Sequence, residues 1–150
     1  MKETIKNPFF KFENSALPLG FEIPDISMFG MLKITAENQP DSLAYEYFGT
    51  ECSYKNLMRK IEEISGAYHS IGVRKGDIVT IIMPNTPEAV ISIYALNRIG
   101  AVANILHPLS AQEEIKNHIN RVKSKVLLSV DICSEKIANI INETSLKKVI

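Results

Sequence analysis

The sequence predicts an α/β fold: a mainly parallel sheet with alternating helices, preceded by a β-hairpin. Three observations carry this. "LAYEYFGTECSY" alternates Leu43, Tyr45 and Tyr47 against Ala44, Glu46 and Phe48, which is the period of a half-buried strand, and it holds a glycine where a tight turn belongs. Short, nearly continuous apolar runs rich in β-branched residues then recur at 78–83, 101–106 and 126–130, the signature of strands buried on both faces. Between them lie stretches of helical period with start and stop signals, and strict strand–helix alternation implies parallel strands joined by right-handed crossovers.

Taken in order, residues 1–26 show no periodicity and carry Pro8, Pro18, Gly20 and Pro24. They are read as an irregular arm over the surface, ordered by packing of Phe9, Phe10, Phe12 and Phe21. Residues 27–150 are read as one incomplete lobe. Ser27 is a candidate N-cap for a helix to about Asn38, with Met28, Met31, Leu32 and Ile34 as apolar positions, ended by Pro40-Asp41. In the hairpin, Gly49-Thr50 is the expected two-residue turn and Glu51–Ser53 the return strand. Ser53 also caps the next helix, whose apolar residues fall at 54, 57, 58, 61, 64, 67, 68 and 71, with Gly72 at the C′ position.

A polar turn, Arg74–Asp77, leads into the strand "IVTIIM", 78–83. Thr86 as cap, Pro87 at the first helical position and Glu88 at the positive helix end start a helix to Ile99. That helix is apolar nearly all round, so it is expected to be buried, and Gly100 closes it. "AVANIL" is the next strand. Ser110 and Glu113 form an apparent capping box for a helix to about Val122. "VLLSV" is a strand, a helix from about Ser134 to Asn142 follows, and "LKKVI" begins one more strand as the sequence ends. Domain termini normally fall in exposed linkers. The 150 residues are therefore expected to be the front piece of a longer protein. No internal repeat or low-complexity segment is present.

Composition narrows the function. The chain is 45% hydrophobic and 23% charged, enough for a packed core. Seventeen basic residues balance seventeen acidic ones without a basic stripe, which argues against nucleic acid and anionic membrane as partners. Apolar runs fall short of the roughly 20 residues of a spanning helix. Lys6, Asn7, Lys11 and Glu13 interrupt any signal-like run, so a cytoplasmic location is expected. Cys52 and Cys133 read as free, partly buried thiols, with no Cys-x-x-Cys or nearby His to activate them.

In an open α/β sheet ligands gather beyond the carboxyl ends of parallel strands, here the loops 84–86, 107–110 and 131–134. Two substrate-binding candidates stand there. The turn Asn85-Thr86-Pro87 presents a helix N-terminus that can hold an anion; the plainer reading is that Thr86 only caps its own helix. His107 can donate to a substrate or act as a base; the plainer reading is a half-buried polar residue in a turn fixed by Pro108. His69 and His118 stand alone on helices, no metal-ligand spacing is present, and Glu113-Glu114 point in different directions. The glycine fingerprint of dinucleotide-binding oxidoreductases, the Walker phosphate loop and the G-x-S-x-G nucleophile elbow are all absent.

Several stretches resemble core motifs of the adenylate-forming superfamily of acyl-CoA synthetases, luciferases and peptide-synthetase adenylation domains. "SYKNL" (53–57) is similar to its first core motif. "IGVRKGDIVTIIMPNTPE" (71–88) resembles the stretch before its buried helix, "LNRIGAVANILHPL" (96–109) its second motif, and "EEIKNHINRVKSKVLLSVD" (113–131) its next helix and strand. "MPNTPE" and Gly100-Ala101-Val102 are closest to acyl- and aryl-CoA synthetases. His107 departs from them, since they more often carry Asn before the proline. The resemblance implies the first lobe of the adenylate-forming fold, and a two-step reaction in which ATP activates a small-molecule carboxylic acid, of whatever chain, and coenzyme A takes the acyl group, with Mg²⁺ at the phosphates. It places the phosphate loop, the ribose-binding aspartate and the catalytic lysine beyond residue 150. No catalytic or metal residue is therefore expected here, and the 150 residues alone are expected to be inactive, bind no cofactor, pair with the rest of their own polypeptide and self-associate when isolated. The competing expectation is a non-catalytic binding or interaction module on the same lobe.

Overall fold

The computed structural model describes residues 24–150, so the expected arm, 1–26, lies almost wholly outside the described residues. Helix α1, Met28–Asn38, is capped by Ser27, whose hydroxyl accepts the Gly30 N–H at 3.0 Å. Strands β1, Leu43–Tyr47, and β2, Thr50–Ser53, pair antiparallel. The turn lies one residue earlier than expected: Phe48-Gly49 connects them, with φ of 47° and 78°, rather than Gly49-Thr50. Both turn residues are left-handed, the twist that fits a two-residue hairpin, and the Glu46 carboxylate accepts the Gly49 N–H and steadies it.

Helix α2, Tyr54–Ser70, starts at Ser53, whose hydroxyl faces the Asn56 N–H at 3.4 Å. Strand β3, Ile78–Ile82, leads to α3, Pro87–Ile99, and β4, Val102–Leu106. Helix α3 has the three expected signals. Thr86 accepts the Ala89 N–H, Pro87 opens the first turn, and Gly100 closes it at φ 80°. It is not buried all round: Val90 is 44% exposed and Tyr94 half-buried.

Helix α4, Gln112–Val122, corrects the expected capping box. Its N-cap is Ala111, which has no side chain to accept a bond. Ser110 sits one residue too early, its carbonyl taken by Lys136 Nζ at 3.1 Å, and Glu113 pairs with Lys116 at 2.8 Å instead. Strand β5, Val126–Ser129, is followed by a 3₁₀ turn and α5, Ser134–Ile140, which is shorter than expected because 141–143 tighten into a second 3₁₀ turn. Strand β6, Lys148–Val149, closes the order.

The sheet order is β4-β3-β5-β6, every pair parallel, with the hairpin as a separate two-stranded sheet. Alternation along β3 divides the core. Val79 and Ile81 join Leu57, Ile61, Ile91 and Leu96 of α2 and α3, while Ile82 joins Leu127 and the α4 and α5 isoleucines 115, 119, 137 and 140. Thr80, fully buried, is satisfied: its N–H donates to Ser124 Oγ at 3.1 Å and its hydroxyl accepts from Asn104 Nδ2 at 3.1 Å.

Candidate functional site

The loops after β3, β4 and β5 surround a shallow depression of 800 Å³ at the carboxyl end of the sheet. Pro84, His107, Leu109, Ser129, Asp131 and Ile132 line it. Leu109 and Ile132, 78% and 80% exposed, give it an apolar rim. A second cleft of 620 Å³, lined by Gly72, Gly76, Lys123, Lys125, Lys147 and Lys148, lies at the amino ends of the strands. Helices α2 and α4 end there, so its cations complement their negative ends, and it is the wrong end of a parallel sheet for a ligand.

His107 reaches the depression. Its Nδ1 accepts the Leu109 N–H at 3.1 Å, a bond that closes the turn around Pro108. An acceptor Nδ1 leaves the proton of the neutral ring on Nε2, so the imidazole meets solvent as a donor. Asn85 is exposed in the bend before α3 and does not line the depression. The helix N-terminus beside it is occupied from within, because the Thr86 hydroxyl takes the Ala89 N–H and Glu88 sits in the first turn. The two candidates therefore share an end of the sheet but not a pocket.

What fixes the His107 loop is a pair of residues that sequence reasoning missed as such. Lys136 Nζ donates to the carbonyls of Pro108, at 3.3 Å, and Ser110, and the buried Cys133 thiol donates to the Pro108 carbonyl at 3.6 Å. Both come from 25 to 28 residues away, so no local pattern announces them. Cys52 and Cys133 are both free and buried. Among the described residues no three His, Cys, Asp or Glu side chains gather to hold a metal, and His107 makes its side-chain bond to a backbone amide rather than to an orienting carboxylate. The polar side chains on the depression are those of His107, Ser129 and Asp131.

Residues 32–150 match the model of a family described as AMP-binding enzyme. The chain belongs to that family. It is 34% identical over 84 residues to acetyl-coenzyme A synthetase 1 of Saccharomyces cerevisiae, covering 55% of this chain and 12% of that protein. To 4-coumarate--CoA ligase 4 of Arabidopsis thaliana it is 27% identical over 95 residues, covering 63% of this chain and 17% of that one. The crystal structure of a long-chain-fatty-acid-CoA ligase from Archaeoglobus fulgidus superposes with a TM-score of 0.79 at 21% identity, covering 85% of this chain and 27% of the other. That likeness is one of fold: the α/β lobe is the one found in adenylate-forming ligases. The chain thus spans about an eighth to a sixth of the length of these two curated relatives. Among the described residues no helix is long and apolar enough to cross a membrane.

Proposed function

We propose that these residues form the first lobe of the adenylating domain of an AMP-forming acyl-CoA synthetase. In the complete enzyme a carboxylate oxygen attacks the α-phosphorus of ATP. The new oxygen–phosphorus bond gives an acyl-adenylate, and the bond to the departing pyrophosphate breaks. The thiol of coenzyme A then attacks the acyl carbon, forming a thioester and releasing AMP. The observation that carries this reading is the family match over 32–150, with relatives named as acetyl-CoA synthetases and a CoA ligase.

This lobe contributes scaffold. Strand β3 and helix α3 bury Val79, Ile81, Ile91 and Leu96 against α2, which holds the carboxyl-end loops in place. In this reading the Mg²⁺ and phosphate contacts are supplied by the rest of the polypeptide. His107 supplies at most a donor on the wall of the depression, and neither His107 nor Asn85 is assigned a chemical step. The 150 residues alone are inactive and bind neither ATP nor coenzyme A. A cytoplasmic location belongs to the same reading.

The test is acid-dependent exchange of pyrophosphate into ATP, on the protein translated from the complete reading frame. A panel running from acetate through long-chain to aryl acids covers the relatives' named substrates. Exchange with at least one acid is expected, with AMP release that requires coenzyme A, and the 150-residue chain alone should give neither. A full-frame protein silent toward every acid, or exchange by the short chain alone, would overturn the reading.

A further inference from the structure

Helix α1 carries two apolar stripes and covers only one. Phe29, Leu32 and Ala36 turn inward, and the Phe29 N–H donates to Asn97 Oδ1 of α3 at 2.9 Å. Met28, Met31 and Ile34 turn outward, 49%, 53% and 51% exposed. With Pro24, Ile26 and Tyr94 they line an apolar groove of 530 Å³. An apolar patch of this kind on a soluble domain marks a docking surface.

We propose that the groove is the seat of this chain's own N-terminal segment, Pro8–Phe12. Three observations select that occupant. Residues 1–23 hold Phe9, Phe10, Phe12 and Phe21, four of the chain's six phenylalanines, so the segment that precedes Pro24 in sequence has a large apolar load to bury. Pro24 and Ile26 already line the groove, so the chain passes along it as it enters α1. From Pro24 back to Phe12 the backbone reaches up to ~40 Å, against a length of ~16 Å for α1. A tether this short holds the segment at an effective concentration around millimolar, well above that of any partner in free solution. The chemistry also fits: flexible methionine side chains accommodate aromatic rings, and sulfur–ring contacts are favourable. Docking covers the outer stripe of α1 and removes the face through which two copies would otherwise meet.

Methionine oxidation by hydrogen peroxide, read by peptide mass spectrometry on the whole 150-residue chain, tests this. The thioethers of Met28 and Met31 report on the groove, and the half-buried Met58 and Met83 serve as references. In the triple variant Phe9→Ser, Phe10→Ser and Phe12→Ser, Met28 and Met31 should oxidise about fivefold faster or more than in the parent, since oxidation follows exposure, with Met58 and Met83 unchanged. Equal rates at Met28 and Met31 would overturn the proposal. If all four methionines accelerate together the variant has lost its fold, and the pair Phe10→Cys with Met31→Cys decides instead. The natural cysteines are buried, so a short bifunctional maleimide should bridge the new pair. A bridge within one chain at high dilution supports the seat. Bridges only between chains, rising with concentration, identify a second copy as the occupant and overturn it, as does no bridge at all.

Discussion

Helices α3 and α4 do the same job at neighbouring strands of one sheet, yet they are started in different ways. Each follows a parallel strand and buries isoleucines against the sheet: Ile91 of α3 on one face, Ile115 and Ile119 of α4 on the other. The start of α3 is written in adjacent residues, with Thr86 on the Ala89 N–H and Pro87 behind it. The start of α4 is not: Ala111 caps nothing, and the loop before it is held by Lys136 and Cys133 from α5 and the turn ahead of it. The loop held locally carries Asn85, exposed and outside the depression. The loop held from a distance is the one that presents His107. An entry capped by adjacent residues is held without tertiary contacts, whereas a loop pinned by another element owes the placement of its side chains to that element.

Core truncation should not distinguish the two helices. Ile91→Ala and Ile115→Ala, at 5% and 0% exposure, are each expected to cost about 2–5 kcal/mol, from lost transfer energy and the cavity left behind. Tyr94→Ala should cost less, because that residue is only partly buried. Urea titrations give the comparison through the midpoints, provided the slopes stay equal. A midpoint unmoved by Ile91→Ala would mean that α3 is not part of the cooperative core.

Cap truncation should distinguish them. Thr86→Ala removes an acceptor from α3 and is expected to cost about 1 kcal/mol. Ser110→Ala, the other residue in a capping position by sequence, is expected to change stability by less than about 0.5 kcal/mol, since its hydroxyl caps nothing. The stabilisation at that entry should appear instead at Lys136→Met, at about 1 kcal/mol once partial exposure is allowed for. Equal losses for Thr86→Ala and Ser110→Ala would erase the contrast between the two helices.

The same contrast explains what was legible in the sequence. The strand and helix segments and the caps at Ser27, Ser53, Thr86 and Gly100 depend on residues close together in sequence, and pattern reading finds them. The hairpin turn slipped by one residue because a phenylalanine is a poor candidate for a left-handed position, and the preference for Gly as first turn residue pointed past it. The Ser110–Glu113 box misled because the spacing was right while the serine was committed elsewhere by its backbone. Of the site, the end of the sheet was legible and so was His107. Its setting was not, since Lys136 and Cys133 hold the loop through contacts that only folding brings about.

A further small effect is expected where α2 meets α3, at a polar flaw of that interface. Tyr68 is 3% exposed, and its hydroxyl alone among buried side-chain polar atoms of the described residues has no hydrogen-bond partner. Burial pushes the phenol above its usual value of 10.0, and the nearby Ser92 hydroxyl offsets part of this without reaching hydrogen-bond geometry. The face that α4 presents, Ile115 and Ile119, has no such flaw. Tyr68→Phe deletes an unsatisfied group and keeps the ring, so it should be neutral or stabilise by up to about 1 kcal/mol. The sign of the pH dependence follows from the raised value. The unfolded chain ionises its tyrosine near pH 10 while the folded one does not, so the parent's stability is intact below that pH and falls as pH rises above it. Urea midpoints at pH 8 and above pH 10 should therefore show Tyr68→Phe losing less stability than the parent over that interval. A variant less stable than the parent at pH 8 would mean that the hydroxyl has a partner, and that the α2–α3 interface is as well satisfied as the one beneath α4.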